Sequence, residues 1–222
     1  MLSYQEIIDL QDKFLVKAGE ILKGSLLSGS FALARAYTQH RTENTVDVFY
    51  TGGIPDLPEQ IDEFTLQEKK KITRWEVPQT TESTVYSYSS KNRLTINLRL
   101  TPDILEGVSG KTPLEIGFFL EDLEGIYYRI LLDYLHNPED FMLALDIAYI
   151  DNEYHLVDFF SHFQERFPDF SEEKLRKSFE KTKLQMEKNP FEVKRAFSQQ
   201  YVNISDTVLK KWLEAKIQEF SE

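Results

Sequence analysis

The chain of 222 residues contains no cysteine. Disulfides, thiolate nucleophiles and cysteine-ligated zinc or iron–sulfur centres are therefore excluded, and the usage agrees with a reducing compartment. No apolar run approaches the roughly 18 residues that a membrane-spanning helix needs. Residues 1–24 show no basic-then-apolar leader and read instead as an amphipathic helix. The expected setting is soluble and cytoplasmic, with no membrane partner. Cations are also scarce: 26 Lys plus Arg against 37 Asp plus Glu leave a net charge of −11. A phosphate backbone is bound through a positive field, so extended nucleic-acid binding is disfavoured. The one dense basic run, QEKKKITR at 67–74, reads as a solvated loop or helix end, with a local basic patch as the alternative. The 4 histidines are scattered and fix no Ser-His-Asp geometry.

What is present is a core. Hydrophobic residues make up 41% of the chain, with 16 Phe and 11 Tyr, which suits one sizeable core or two small ones. Residues 3–23 carry apolar side chains at helical spacing before Gly24. Leu26–Leu27 reads as a short strand, Gly29–Ser30 as a turn, and 31–39 as a helix opening at that turn. TVDVFY (45–50) alternates like a strand and is closed by Gly52, Gly53 and Pro55. Residues 59–70 look helical, and STVYSYSSKNRLTINLRL (83–100) is the clearest hairpin, turning at residues 90–92. After Pro113, segments 114–135, 138–150, 154–167, 171–186, 190–200 and 205–220 all show helical periodicity. Glu139–Asp140, Glu172–Glu173 and Asp206 favour helix starts through the dipole. The expected organisation is an α/β part over 1–112 and a helical part over 113–222.

Some patterns suggest chemistry. A strand, a Gly–Ser turn and a helix start can seat an anion on backbone N–H groups. Carboxylates at i and i+2 of a strand share a face and can clamp Mg²⁺, usually with a third on a neighbouring strand. His155, Asp158 and His162 can share a helix face, but a polar stripe explains them without a metal. Asp146, Asp151, Glu153 and Asp158 read as surface charges and caps.

LSGSFALARAYTQHRTENTVDVFY (27–50) resembles the opening motif of the AbiEii/AbiGii-type nucleotidyltransferases, toxin or abortive-infection proteins with a polymerase-β-like core. Gly29, Ser30, Ala32, Leu33, Ala34, Tyr37, His40, Arg41, Asp47 and Phe49 match that pattern. The stretch 93–107 resembles the family's strand bearing a third carboxylate, and 119–145 resembles its helical motif through Glu121, Asp122, Asp140 and Phe141. The resemblance covers residues 26–145. It implies an α+β fold: a nucleotidyltransferase-like mixed sheet with flanking helices, followed by a C-terminal helical bundle. It also implies Gly29, Ser30 and Arg41 as nucleotide-binding residues and Asp47 as a catalytic and metal-binding carboxylate.

The departures are as informative as the matches. The first Asp of the family's strand pair falls on Thr45, the third carboxylate on Asn97 and a lysine on Tyr127. Further departures put an arginine on Tyr134, a second arginine on Glu139 and a last Asp on Leu143. Two cations some 3.5–4 Å apart need about three carboxylates against their mutual repulsion, and only Asp47 remains. The expectation is a degenerate, catalytically impaired pseudoenzyme with no cofactor, working through a nucleotide or a protein partner such as an antitoxin in a toxin–antitoxin or phage-defence setting. The first alternative is an active divergent nucleotidyltransferase using Mg²⁺, with Glu43, Asp56 or Asp62 assisting Asp47. The second is an unrelated α/β interaction protein.

Overall fold

The computed structural model describes residues 2–53, 56–76, 79–91, 94–103 and 110–221. Helix α1 (Tyr4–Ile21) opens on a reciprocal capping box between Ser3 and Glu6, and buries Ile7, Leu10, Phe14 and Ala18 along one stripe. Strand β1 (Leu26–Ser28) runs directly into helix α2 (Gly29–Ala32), which widens into a π-helical turn over Leu33–Thr38. Strands β2 (Thr45–Tyr50), β3 (Gln60–Ile61), β4 (Phe64–Glu76), β5 (Gln79–Ser90), β6 (Thr95–Pro102), β7 (Lys111–Pro113) and β8 (Phe119–Glu121) follow. They join β1 in one eight-stranded mixed sheet of order β3-β4-β5-β6-β2-β1-β8-β7. Helices α3 (Leu123–His136), α4 (Phe141–Ile150), α5 (Leu156–Arg166), α6 (Glu172–Lys188), α7 (Pro190–Gln199) and α8 (Asp206–Glu219) complete the chain. The α+β class expected from the sequence is the one observed. Among the described residues, no helix is long and apolar enough to cross a membrane.

Two compact units divide the chain, Met1–Ile126 and Tyr127–Glu222, with the division inside α3. In the first unit, the alternation of β2 sends Val46 and Val48 to the same face as Leu98 and Leu100 of the parallel strand β6, and all four are fully buried. Phe14 of α1 packs edge-on against Phe64 and tilts against Tyr88, with ring centroids 5.2 and 5.5 Å away. These apolar residues hold the register. A slip of one residue would turn every side chain of β2 to the opposite face.

The second unit is helical and rich in stacked rings. Tyr127 lies on Phe159 at 4.1 Å, and Phe179 meets Trp212 edge-on at 5.4 Å. Asp151, just beyond α4, ties three groups together: its carboxylate accepts from the Leu156 N–H at 2.7 Å and from Trp212 Nε1 at 2.9 Å, and Lys216 Nζ lies 2.9 Å away.

Four sequence expectations are corrected. Residues 59–70 are not a helix but a hairpin of β3 and β4. Ile61 and Phe64 sit opposite each other across a two-residue turn, so their i, i+3 spacing imitates a helical face. Asp62 holds the left-handed conformation that this turn needs (φ 53°). Consequently the basic run 67–74 lies within strand β4 and not in a loop. Residues 114–135 are not one helix either: β8 precedes α3, which starts only at Leu123. The break is at Gly117 (φ 96°), where a Cβ would come within 2.5 Å of the Gly19 carbonyl oxygen. Asp146, expected as a surface charge, is fully buried in α4. The 83–100 hairpin is present as β5 and β6, although part of its turn, Asn92 and Arg93, lies outside the described residues, as does Pro55.

Candidate functional site

Strand register alone brings the key positions together. β2 and β6 run parallel with Thr45 opposite Asn97 and Asp47 opposite Arg99. β1 lies antiparallel on the other side of β2, with Ser28 opposite Asp47. Partnered residues point to the same face, so Ser28, Asp47 and Arg99 form a row across the sheet, away from the face of Val46 and Leu98. Glu121 of β8 extends the row, because its carboxylate accepts a hydrogen bond from Ser28 Oγ. A second row begins at Thr45 and Asn97 and continues to Ser87 of β5, whose hydroxyl donates to Asn97 Oδ1 at 2.8 Å.

The charges in this row compensate one another. Arg99 Nε donates to Asp47 Oδ1 in a charge-assisted contact. Asp47 is nearly enclosed, at 4% side-chain exposure, whereas Arg99 keeps 22%. Gly29 closes the other side. It has φ 70°, and a Cβ there would fall 2.6 Å from Asp47 Oδ2, so both the backbone angle and the space favour glycine. Glu121 is likewise enclosed, and its main-chain oxygen accepts from the Tyr37 hydroxyl at 2.8 Å. Tyr37 belongs to the π-helical turn, a conformation that recurs where a helix has to re-aim side chains.

The remaining sequence candidates fall in different places. Gly29 and Ser30 are not a free turn but the first residues of α2, a helix of four residues. Arg41 is buried, its guanidinium bonded to Glu43 in its own loop. Glu43 Oε1 in turn accepts the N–H groups of Asn44 and Thr45, both at 2.8 Å. Gln11 of α1 fastens this loop by donating to the Glu43 carbonyl at 2.7 Å. Glu43 therefore sets up the start of β2. Asp56 is exposed and Asp62 sits in the β3–β4 turn. Tyr127 is fully buried among the rings of the second unit. Burial, then the charge of Asp151, pushes its phenol well above the ordinary range.

Ser28 and Arg99 are members of the candidate site that the sequence reading did not single out. Arg99 had a usable signal, since it stands two residues after Asn97 on an alternating strand. Glu121 was already part of a matched motif, but the supposed helix over 114–135 hid its position on a strand.

No protein-family model matches the chain, and no curated protein matches it. Solved structures do. A candidate nucleotidyltransferase from H. pylori superposes with a TM-score of 0.58 at 14% identity, covering 99% of this chain and 98% of that one. JHP933 from Helicobacter pylori gives 0.56 at 14% identity, covering 100% and 95%. The chain has a nucleotidyltransferase-like fold. Within that nucleotidyltransferase-like fold, the donor set beside Asp47 can be judged against Mg²⁺ chemistry. Thr45 and Asn97 bring no charge, and a guanidinium already lies on Asp47. Even with Glu121 counted, the row offers two carboxylates, fewer than the roughly three that a pair of divalent cations needs to offset up to four positive charges. Among the described residues, no group of three or more His, Cys, Asp or Glu is gathered to hold a metal ion.

Proposed function

We propose that this is a degenerate nucleotidyltransferase-fold protein of the AbiEii-like kind, working by binding a nucleotide or a protein partner such as an antitoxin, and not by metal-assisted nucleotidyl transfer. The supporting observation is the register pair Thr45–Asn97 next to Asp47–Arg99. Positions that would carry carboxylates in the resembling family stand directly opposite each other, and both are neutral. Phosphoryl chemistry relies on positioned cations to absorb developing charge, and this pair offers no carboxylate to hold them. The sequence features of toxin or phage-defence proteins enter through the resemblance.

A second reading, an active divergent enzyme with Mg²⁺, draws support from Glu121. It is a second enclosed carboxylate, bonded to Ser28, whose register partner is Asp47. Thermal unfolding with each nucleoside triphosphate, with Mg²⁺ or Mn²⁺ and with EDTA, separates the two. Ligand bound to the folded state alone raises stability by RT ln(1 + [L]/Kd). Under the degenerate reading, any nucleotide-induced shift is the same with EDTA as with metal. A shift that requires metal and disappears in Asp47→Ala would establish the enzyme instead.

A further inference from the structure

We propose that Arg99 is a resident cation that closes the metal position beside Asp47, so that the site rejects divalent ions even when its missing carboxylates are restored. This rests on the degenerate reading above and adds a specific cause to it. The loss of carboxylates at Thr45 and Asn97 would by itself weaken metal binding. Arg99 does something different: it pairs the Asp47 carboxylate with a permanent positive charge.

Three observations carry the inference. Arg99 stands in the middle of β6, opposite Asp47, and reaches it with Nε across one strand spacing. A guanidinium stays charged throughout the pH range proteins experience, so no change of pH vacates the place. The Asp47 carboxylate is also confined, with the Gly29 backbone on one side at a distance that leaves no room for a Cβ and Arg99 on the other. It therefore has little freedom to swing towards an incoming ion. A divalent cation would have to displace Arg99 or share the carboxylate with it against like-charge repulsion.

The test is Mn²⁺ titration of the full chain, read by the electron paramagnetic resonance signal of the free ion. The proteins are the wild type, Thr45→Asp/Asn97→Asp, and that double variant carrying Arg99→Ala or Arg99→Met, with folding checked by circular dichroism. The double variant is expected to bind Mn²⁺ no more tightly than the wild type. Removing Arg99 from it is expected to tighten binding by about tenfold or more, and adding Asp47→Asn is expected to abolish that gain. A triple variant that folds only when Mn²⁺ is added supports the proposal equally. Tight binding by the double variant with Arg99 in place overturns it. So does a triple variant that is folded yet binds no ion, or one that does not fold with or without Mn²⁺. Binding by the wild type that is lost in Asp47→Asn is a separate result, and it overturns the degenerate reading itself.

Discussion

Asp47 and Asp151 are both poorly exposed carboxylates facing a cation, one in each unit, yet their surroundings differ in kind. Asp151 receives the first N–H of α5 and two side chains of α8. Each partner begins or anchors a helix, so the carboxylate is a knot in the scaffold. Asp47 lies inside a strand whose main chain the sheet already satisfies. Nothing about the β2 backbone calls for a charge there, nor for the enclosed Glu121–Ser28 pair beside it. Buried polar groups that close no element mark a site; those that close elements mark architecture.

The comparison breaks first at the carboxylates themselves. Asp47→Ala removes the carboxylate that faces Arg99 and is expected to cost about 3 kcal/mol, near the low end for a broken buried pair because Arg99 keeps some solvent. Asp151→Ala removes a cap and two side-chain contacts and should cost about 2–3 kcal/mol. Urea unfolding gives the magnitudes, and amide exchange gives the location. Protection should fall in β2 and β6 for the first variant, and in α5 and α8 for the second. A loss spread evenly over both units would show that the two carboxylates are alike after all.

A finer contrast lies within α3. Tyr127 and Tyr134 are both fully buried, but the Tyr134 hydroxyl meets Thr182 Oγ1 at 2.6 Å while that of Tyr127 has no hydrogen-bond partner among the described residues. Thr182 has one proton and two carbonyls within reach, Pro138 at 2.7 Å and Ser178 at 3.0 Å, so Tyr134 is the donor. Tyr134→Phe should cost about 1 kcal/mol, whereas Tyr127→Phe should be neutral or stabilising by about 1 kcal/mol, since it removes an unsatisfied polar atom. Parallel urea titrations would decide this, and equal losses would contradict it.

An effect that is absent near neutral pH is expected in alkaline stability. Burial raises both phenols, helped at Tyr127 by the charge of Asp151 and opposed at Tyr134 by the Thr182 hydrogen bond. In Lys216, burial acts to lower the ammonium, but hydrogen bonds to Glu219 and Asp151 outweigh it and leave it raised. For all three the folded state holds its proton to a higher pH than the unfolded chain does. Their contribution is whole below about pH 10, the ordinary tyrosine value, and declines above it by up to about 1.4 kcal/mol per pH unit for each tyrosine. Urea midpoints should therefore be flat with respect to these groups from pH 7 to 9 and then fall. The fall should be shallower in the double Phe variant.

How far the sequence could be read follows from the same physics. The C-terminal helices were legible because their caps and periodicity are local: Asp140 and Ser171 cap α4 and α6 through their own neighbouring N–H groups. TVDVFY was legible for the same reason, as a strict alternation. Mis-assigned segments were those where a turn imitates helical spacing, as at Ile61 and Phe64, or where a close approach such as Gly19 to Gly117 interrupts an apolar run. The site was legible only in part. Thr45, Asp47 and Asn97 could be placed through the family resemblance, but pairing Arg99 with Asp47 and Glu121 with Ser28 requires a strand register that no single segment contains.

Strand β4 has one more consequence. Among the described residues, β3 pairs with it only through Gln60 and Ile61, and the Glu59 carbonyl accepts from the Leu66 N–H, so beyond Leu66 no strand pairs with its outer edge. An open edge of that length is a template for the next chain. Lys69, Lys70 and Lys71 stand on it in succession, all exposed, and two copies laid edge to edge would bring these charges together. The densest positive run of an acidic protein thus stands where like charges oppose edge-to-edge pairing.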